Sequence, residues 1–177
     1  MVDEALPAAA PEGDELLRFY DRTVALVHGY LLRRCGSVAV AEDLTAETFL
    51  AAVDAVRREV APPLNEAWIL GVARHKLVDH WRRRAREERR LEAVRDSAGE
   101  LDDPWDIALE RTRALEVLDQ LGAHHRAALV LRYLDGRPVP EIAVHLDRTV
   151  HATEALLTRA RRAFRAAYIA GEEGSRG

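Results

Sequence analysis

Arginine and tryptophan carry most of the chemistry this sequence could perform. Between Trp68 and Arg90, two indole rings, Trp68 and Trp81, stand among Arg74, Arg82, Arg83, Arg84, Arg86, Arg89 and Arg90. Rings that stack on bases and guanidinium groups that hold phosphates are what single-stranded nucleic acid requires. The competing reading is that both rings are core: Trp81 lies on an apolar stripe, and on spacing alone core is favoured. A second basic set, Arg148, Arg159, Arg161, Arg162 and Arg165, stands near the C-terminus. Other chemistry finds little support. There are seven histidines, among them His124-His125, His145 and His151, but no pair has a firm metal-ligand spacing and no carboxylate pattern joins them. One cysteine, Cys35, forms no internal disulfide and no thiolate cluster. There is no Gly-rich phosphate loop and no Ser or Cys nucleophile motif. The expectation is a protein that is not an enzyme, with no metal and no cofactor.

The elements that must position these side chains read as helices. The chain is rich in Ala, Leu, Arg and Glu and poor in aromatics, a composition that favours an all-α protein. From Asp14, the residues Leu17, Tyr20, Val24, Val27 and Leu31 make one apolar stripe, which stops near Cys35-Gly36-Ser37. A second helix, about 39–58, turns Leu44, Phe49, Ala52, Val53 and Val56 inward and Glu42, Asp43, Glu47 and Asp54 outward. Pro62-Pro63 breaks the chain, and Asn65 caps a third helix with Ile69, Val72, Ala73, Leu77 and Trp81 on its apolar side. An acidic stretch, Asp96 to Asp103, reads as a linker, and Asp103-Pro104 as a helix start. Ile107, Leu109, Ala114, Leu115, Leu118 and Leu121 supply the next apolar positions. Helices then follow at about 125–134, 140–146 and 150–168.

The last two helices have the outline of a helix-turn-helix. Small Ala143 sits where two helices must approach closely. Asp147 occupies the turn, where Gly is usual and Asp tolerates the left-handed conformation. The second helix would lay its N-terminal residues on base edges in the major groove. The alternative is a solvated basic helix in a generic bundle. Charge supports the first reading by its distribution. The net charge is −4, yet the chain alternates: −6 over 1–66, +5 over 67–95, −6 over 96–121 and +3 over 122–177. Basic blocks suit phosphate and acidic ones a basic protein surface. For the acidic face Glu42–Asp54 taken alone, a solvated face is the preferred reading. No apolar run reaches the length of a membrane span. Met1 to Gly13, with Asp3 and Glu4, reads as a disordered tail and not a targeting segment. A cytoplasmic protein with no membrane partner is expected.

Four stretches in order resemble the extracytoplasmic-function (ECF) sigma factors of bacterial RNA polymerase. Ala41-Glu-Asp-Leu-Thr-Ala-Glu-Thr-Phe-Leu is similar to the family's polymerase-binding helix. Ala67-Trp-Ile-Leu-Gly-Val-Ala-Arg-His-Lys-Leu-Val-Asp-His-Trp-Arg-Arg-Arg resembles its promoter-melting helix. Leu121 through Arg126 to Leu131-Arg-Tyr-Leu-Asp-Gly, leading to Glu141-Ile-Ala, and then Arg159-Ala-Arg-Arg-Ala-Phe-Arg, complete the pattern over about residues 14–168. The resemblance implies two small helical domains joined by a short acidic linker, the second containing the helix-turn-helix. It divides the chain into a tail (1–13), a first domain (14–95), a linker (96–106), a second domain (107–170) and a tail (171–177). It implies that the first domain binds the clamp of core RNA polymerase through Glu42, Asp43, Leu44, Glu47 and Phe49. The same domain would bind the minus-ten element through Trp68, Arg74, His75, Asp79, Arg82 and Arg83. The second domain would bind the polymerase flap and, through Arg148, Thr149, His151, Glu154, Arg159 and Arg162, the minus-thirty-five element. The linker would thread toward the RNA exit path. The partners implied are core RNA polymerase and promoter DNA; whether an anti-sigma factor holds the chain stays open.

The chain departs from the family pattern at some positions. His75 replaces the Asn of the family's Ile-Ala-Arg-Asn motif, and Glu154 and Leu156 stand where Lys and Arg are usual. Thr153 occupies a commonly apolar position. Two rivals remain: a helix-turn-helix regulator acting without polymerase, which leaves residues 41–95 unexplained, and a polymerase-binding adaptor without promoter selectivity, which Glu154 and Leu156 favour.

Overall fold

The structure, a computed structural model, describes residues 13–91 and 111–174, all of their regular structure helical. The expected N-terminal tail, the acidic linker 96–106, the helix start at Asp103-Pro104 and the apolar pair Ile107 and Leu109 lie outside the described residues. The chain forms two compact units, residues 1–76 and 77–177.

In the first unit, α1 (Gly13–Cys35) ends where Gly36 adopts φ 69°, and its N–H returns to Leu32 O at 3.0 Å. Glycine tolerates this left-handed stop without a Cβ clash. One residue later Ser37 caps α2 (Val38–Arg57), accepting from Val40 N. The turn is therefore two residues long, and α1 and α2 pack side by side. Phe19, Thr23, Val27, Tyr30 and Leu31 of α1 and Ala41, Leu44, Thr45, Thr48, Phe49, Ala52 and Val56 of α2 are buried. The three buried threonines cost little, because each hydroxyl donates to the carbonyl one turn back at 2.6–2.7 Å. The expected α1 stripe needs correcting. Leu17 is 61% and Tyr20 41% exposed. The series 19, 23, 27, 30/31 fits helical spacing as well as 17, 20, 24, 27, 31, and its packing partners choose between them. Tyr20 instead meets Phe49 edge-on at 4.7 Å.

The end of α2 is held by a left-handed residue that is not glycine. Glu59 has φ 56°, its N–H bonds Val56 O, and Val60 N–H bonds Ala55 O, both at 3.0 Å. This paired closure satisfies two terminal carbonyls, and Pro62-Pro63 follows. Asn65 then behaves as its sequence position predicts: its Oδ1 accepts from Trp68 N at 2.9 Å, capping α3 (Glu66–Leu91). Ile69 and Ala73 are fully buried in the first unit.

The second unit holds the rest of α3, with Leu77, Val78, Trp81 and Ala85 buried, followed by α4 (Arg111–Gln120), α5 (Ala123–Leu129), α6 (Val139–Leu146) and α7 (Val150–Gly174). Within this unit Glu88 Oε2 accepts from Ala123 N at 2.9 Å, and Arg82 pairs with Asp147 at 3.1 Å. α5 does not stop at Leu129. It continues as a π-helical turn, Val130–Leu134, closed by Asp135 N–H to Val130 O at 3.0 Å, with Gly136 at φ 63°. α7 packs against α4, α5 and α6 and extends past the expected end at Tyr168 to Gly174. Arg113 lies 4.3 Å from the Tyr168 ring, tying α4 to the far end of α7. Buried Arg126 on α5 is ion-paired with Asp119 on α4.

Candidate nucleic-acid interface

The turn between α6 and α7 decides where the basic helix points. Leu146 ends α6, and Asp147 takes φ 55°, ψ 52°, the left-handed conformation expected of it. Arg148 N–H then reaches back to Ala143 O at 2.9 Å and Asp147 N–H to Val144 O at 3.2 Å. This pair of bonds locks the chain reversal. Ala143 is 3% exposed, as a close approach of two helices demands. Thr149 caps α7: its Oγ1 accepts from Ala152 N at 3.1 Å, and its carbonyl accepts both the N–H and the hydroxyl of Thr153. Thr153 is thereby satisfied while fully buried, so a polar residue at this apolar position is accommodated.

Burial fixes the rotation of α7 about its axis. Thr153, Leu156, Leu157, Ala160, Phe164 and Tyr168 face inward. His151, Glu154, Ala155, Thr158, Arg159 and Arg162 face outward. The predicted residues His151, Glu154, Arg159 and Arg162 thus share the outer side of one helix, with Arg148 half-buried at its start. Leu156 is corrected: it is 1% exposed and belongs to the core, so it takes no place on the outer face and lends no weight to the adaptor reading. Thr149 is exposed, but its hydroxyl oxygen already serves the helix cap.

Positive charge concentrates beside this face. Burial, then Arg89 and Arg159, depress the Arg148 guanidinium below its ordinary value. Crowded guanidinium groups of this kind favour an anion between them. His124 and His125 lie in ring contact, 4.4 Å between centroids. Burial first, then Arg148, lowers His124; burial, then His124 and Arg159, pushes His125 down to about 4. Both rings are therefore neutral near pH 7.

On α3, Trp68 and His75 belong to the first unit; in the second, Asp79, Arg82, Arg83 and Arg86, separated by 3, 1 and 3 residues, lie on one side of the helix. Trp68 is half-buried, its ring tilted against Phe19 at 6.3 Å, so it belongs in part to the core of the first unit. Trp81 is 2% exposed: the core reading holds for it. His75 Nδ1 lies 2.9 Å from Gly71 O; a carbonyl only accepts, so Nδ1 carries the proton. Arg74 is half-buried, and Arg82 pairs with Asp79 at 3.7 Å.

On α2, Glu42, Asp43, Glu47 and Asp54 line the outer side. Leu44 and Phe49, expected to meet the polymerase, are 1% and 7% exposed. Their side chains hold the helix in place and offer little surface to a partner. Leu50, 68% exposed and in register with Asp43, Glu47 and Asp54, is the apolar residue this face presents. The sequence signal for it was an apolar residue between acidic ones on the outer register. Among the described residues no group of three or more His, Cys, Asp or Glu is placed to hold a metal, and no helix is long and apolar enough to cross a membrane.

Comparison with known proteins identifies the family. The sigma-70 region 2 family matches residues 19–87, and the sigma-70 region 4 family matches residues 111–164. The ECF RNA polymerase sigma factor SigL of Mycobacterium tuberculosis is 33% identical over 164 residues, covering 89% of this chain and 91% of that protein. The ECF sigma factor BldN of Streptomyces coelicolor is 32% identical over 158 residues, covering 86% of this chain and 60% of that protein. Among solved structures, the sigma factor RpoE of Bartonella quintana, in complex with the anti-sigma factor NepR, aligns with a TM-score of 0.51 and 17% identity. It spans 87% of this chain and 96% of that one, and at that identity it shows a shared fold. Two sigma-70 regions in order, with a relative one-third identical along nearly the whole chain, settle the family: the chain is a member of the ECF sigma factors of RNA polymerase.

Proposed function

We propose that this chain binds core RNA polymerase, directs it to specific promoters and helps to open the DNA for transcription initiation, working in the cytoplasm. The observation that carries the proposal is the presence, in one chain, of an outward recognition face on α7 and, over residues 19–87, of a sigma-70 region 2. A regulator acting through the helix-turn-helix alone has no use for the second.

The division of labour follows from chemistry. Glu42, Asp43, Glu47 and the exposed Leu50 form the docking side, acidic around an apolar point, for a basic polymerase surface. His151, Glu154, Arg159 and Arg162 read and hold duplex DNA at the upstream element. Phosphate contacts set register and base contacts select sequence. Trp68, His75, Asp79, Arg82 and Arg83 serve the downstream element. Extruding a base costs a few kcal/mol, and stacking on an aromatic ring returns about 1–3 kcal/mol per base. A base captured beside Trp68 offsets opening in this way. His75 provides an imidazole where the family has an amide, so the base preferred there differs from the family's.

Run-off transcription from a genomic promoter library, with bacterial core polymerase and with or without this protein, tests the proposal. Protein-dependent transcripts sharing two upstream elements are expected. Core binding without a specific start supports the adaptor instead. Failure to bind core overturns the proposal in favour of the polymerase-independent regulator.

A further inference from the structure

We infer that Glu154 is a specificity-determining residue of this interface, accepting a hydrogen bond from the exocyclic amine of a cytosine in the major groove of the upstream element. The inference rests on the promoter-binding function proposed above.

Three observations lead to it. First, Glu154 is exposed within the first two turns of α7, on the outer side with His151, Ala155 and Thr158. The Thr149 cap and the buried Thr153, Leu156 and Leu157 on the opposite side fix its direction. Second, among the described residues its carboxylate has no hydrogen-bond or ion-pair partner. The hydroxyl of Thr158, one turn on, donates to the Glu154 backbone carbonyl at 3.0 Å and also meets the Arg161 guanidinium at 3.4 Å. Third, Arg148 precedes it and Arg159 and Arg162 follow it in the sequence, so that cations stand to either side of it along the helix, where phosphates would lie. A carboxylate held between such cations and turned to a polyanion is repelled unless it meets a donor on a base edge.

The major groove offers two such donors: the N4 amine of cytosine and the N6 amine of adenine. Adenine N6 is flanked by acceptors on both sides, its own N7 and O4 of the paired thymine. Either repels the second carboxylate oxygen. Cytosine N4 has an acceptor on one side alone, O6 of the paired guanine, and its own C5–H on the other. A carboxylate therefore takes cytosine, whereas an amide, with a donor beside its acceptor, fits adenine N6 and N7 together. Small Ala155 next to it leaves space for the neighbouring base pair.

The test is transcription by the holoenzyme, full-length protein with core polymerase, from a library randomised across the upstream element. The wild type is expected to fix cytosine at one position, by roughly tenfold over other bases. At that position E154Q is expected to move the preference to adenine, and E154A to abolish it while leaving the other positions unchanged. E154A is also expected to raise binding to unrelated duplex and to steepen its salt dependence, since one repulsion is gone. If E154A raises affinity for all sequences equally and the base preference does not change, the carboxylate is repulsive only and the inference fails. If E154Q retains cytosine, it fails as well. If the wild type gives no protein-dependent transcript, the failure lies in the proposed function, and the inference falls with it.

Discussion

Thr149 offers a direct way to separate holding the recognition helix from touching DNA. Its Oγ1 accepts from Ala152 N at 3.1 Å, one of the backbone donors that the first turn of α7 cannot satisfy internally. Thr149→Ala removes that acceptor and leaves the Thr149 carbonyl, with its bonds from Thr153, in place. Loss of such a cap costs about 1 kcal/mol. For a small helical unit this lowers the melting midpoint by about 6 °C. The first turn carries His151 and leads into Glu154, so a frayed turn must be re-formed on binding. The same ~1 kcal/mol then weakens upstream-element affinity about fivefold. Thr149→Ser, which keeps the hydroxyl, should restore both within a few tenths of a kcal/mol. Thr149→Asp should keep the cap and gain about 0.3–1 kcal/mol from the helix dipole, yet bind DNA more weakly, because its carboxylate faces phosphate. Thermal melts followed by circular dichroism, with anisotropy titrations on a duplex carrying the upstream element, measure both quantities. The reasoning is refuted if Thr149→Ala melts with the wild type but no longer binds, since Thr149 would then be a DNA contact and not a cap.

Three further perturbations follow from the same structure. Asp119→Ala should destabilise the second unit by about 3 kcal/mol, because it removes the carboxylate paired with the buried Arg126 guanidinium, whereas Arg126→Met should cost clearly less, since Asp119 is 43% exposed and returns to water. Urea unfolding of the two variants checks the order, and the reverse order overturns it. The folded-state value of His125, about 4, lies below its ordinary 6.5, so the unfolded chain binds this proton more readily. The resulting stability is present above about pH 6.5 and is lost as pH falls toward about 4. Discounted for a half-exposed ring, it amounts to roughly 1–2 kcal/mol. His125→Asn should flatten that limb of a profile of urea midpoint against pH, and an unchanged slope would remove His125 from the account. Replacing Glu42, Asp43 and Glu47 together by Lys should weaken core polymerase binding about tenfold at low salt, with the difference shrinking as salt rises. Binding of the variant to isolated upstream-element duplex should not fall, and a loss of both would show that the fold had been damaged.

Local features of this protein were legible from the residues alone. Asn65, Ser37, Gly36 and the left-handed Asp147 all act through bonds to neighbours within five positions, and turn and cap chemistry depends on little else. The order of helices and the separation of an acidic face on α2 from basic faces on α3 and α7 were legible for the same reason: helical period and charge are properties of the string. The rotation of α2 and α3 followed from the same period, but that of α1 and part of α7 did not. In α1 two apolar series fitted the period, and contact with α2 chose the one containing Phe19 and Tyr30 over the one containing Leu17. On α2 the period already turned Leu44 and Phe49 inward, and the structure adds Leu50 at the surface. On α7 it buried Leu156 beside Thr153 and left Glu154 facing out. A helix with apolar residues on more than one side has several nearly equivalent ways to face a core. Only the shape and area of the neighbouring helices separate them, because burial rewards the face that is covered. The sequence by itself determined which chemical groups this protein carries and in what order. The tertiary structure decided which of them reach a partner.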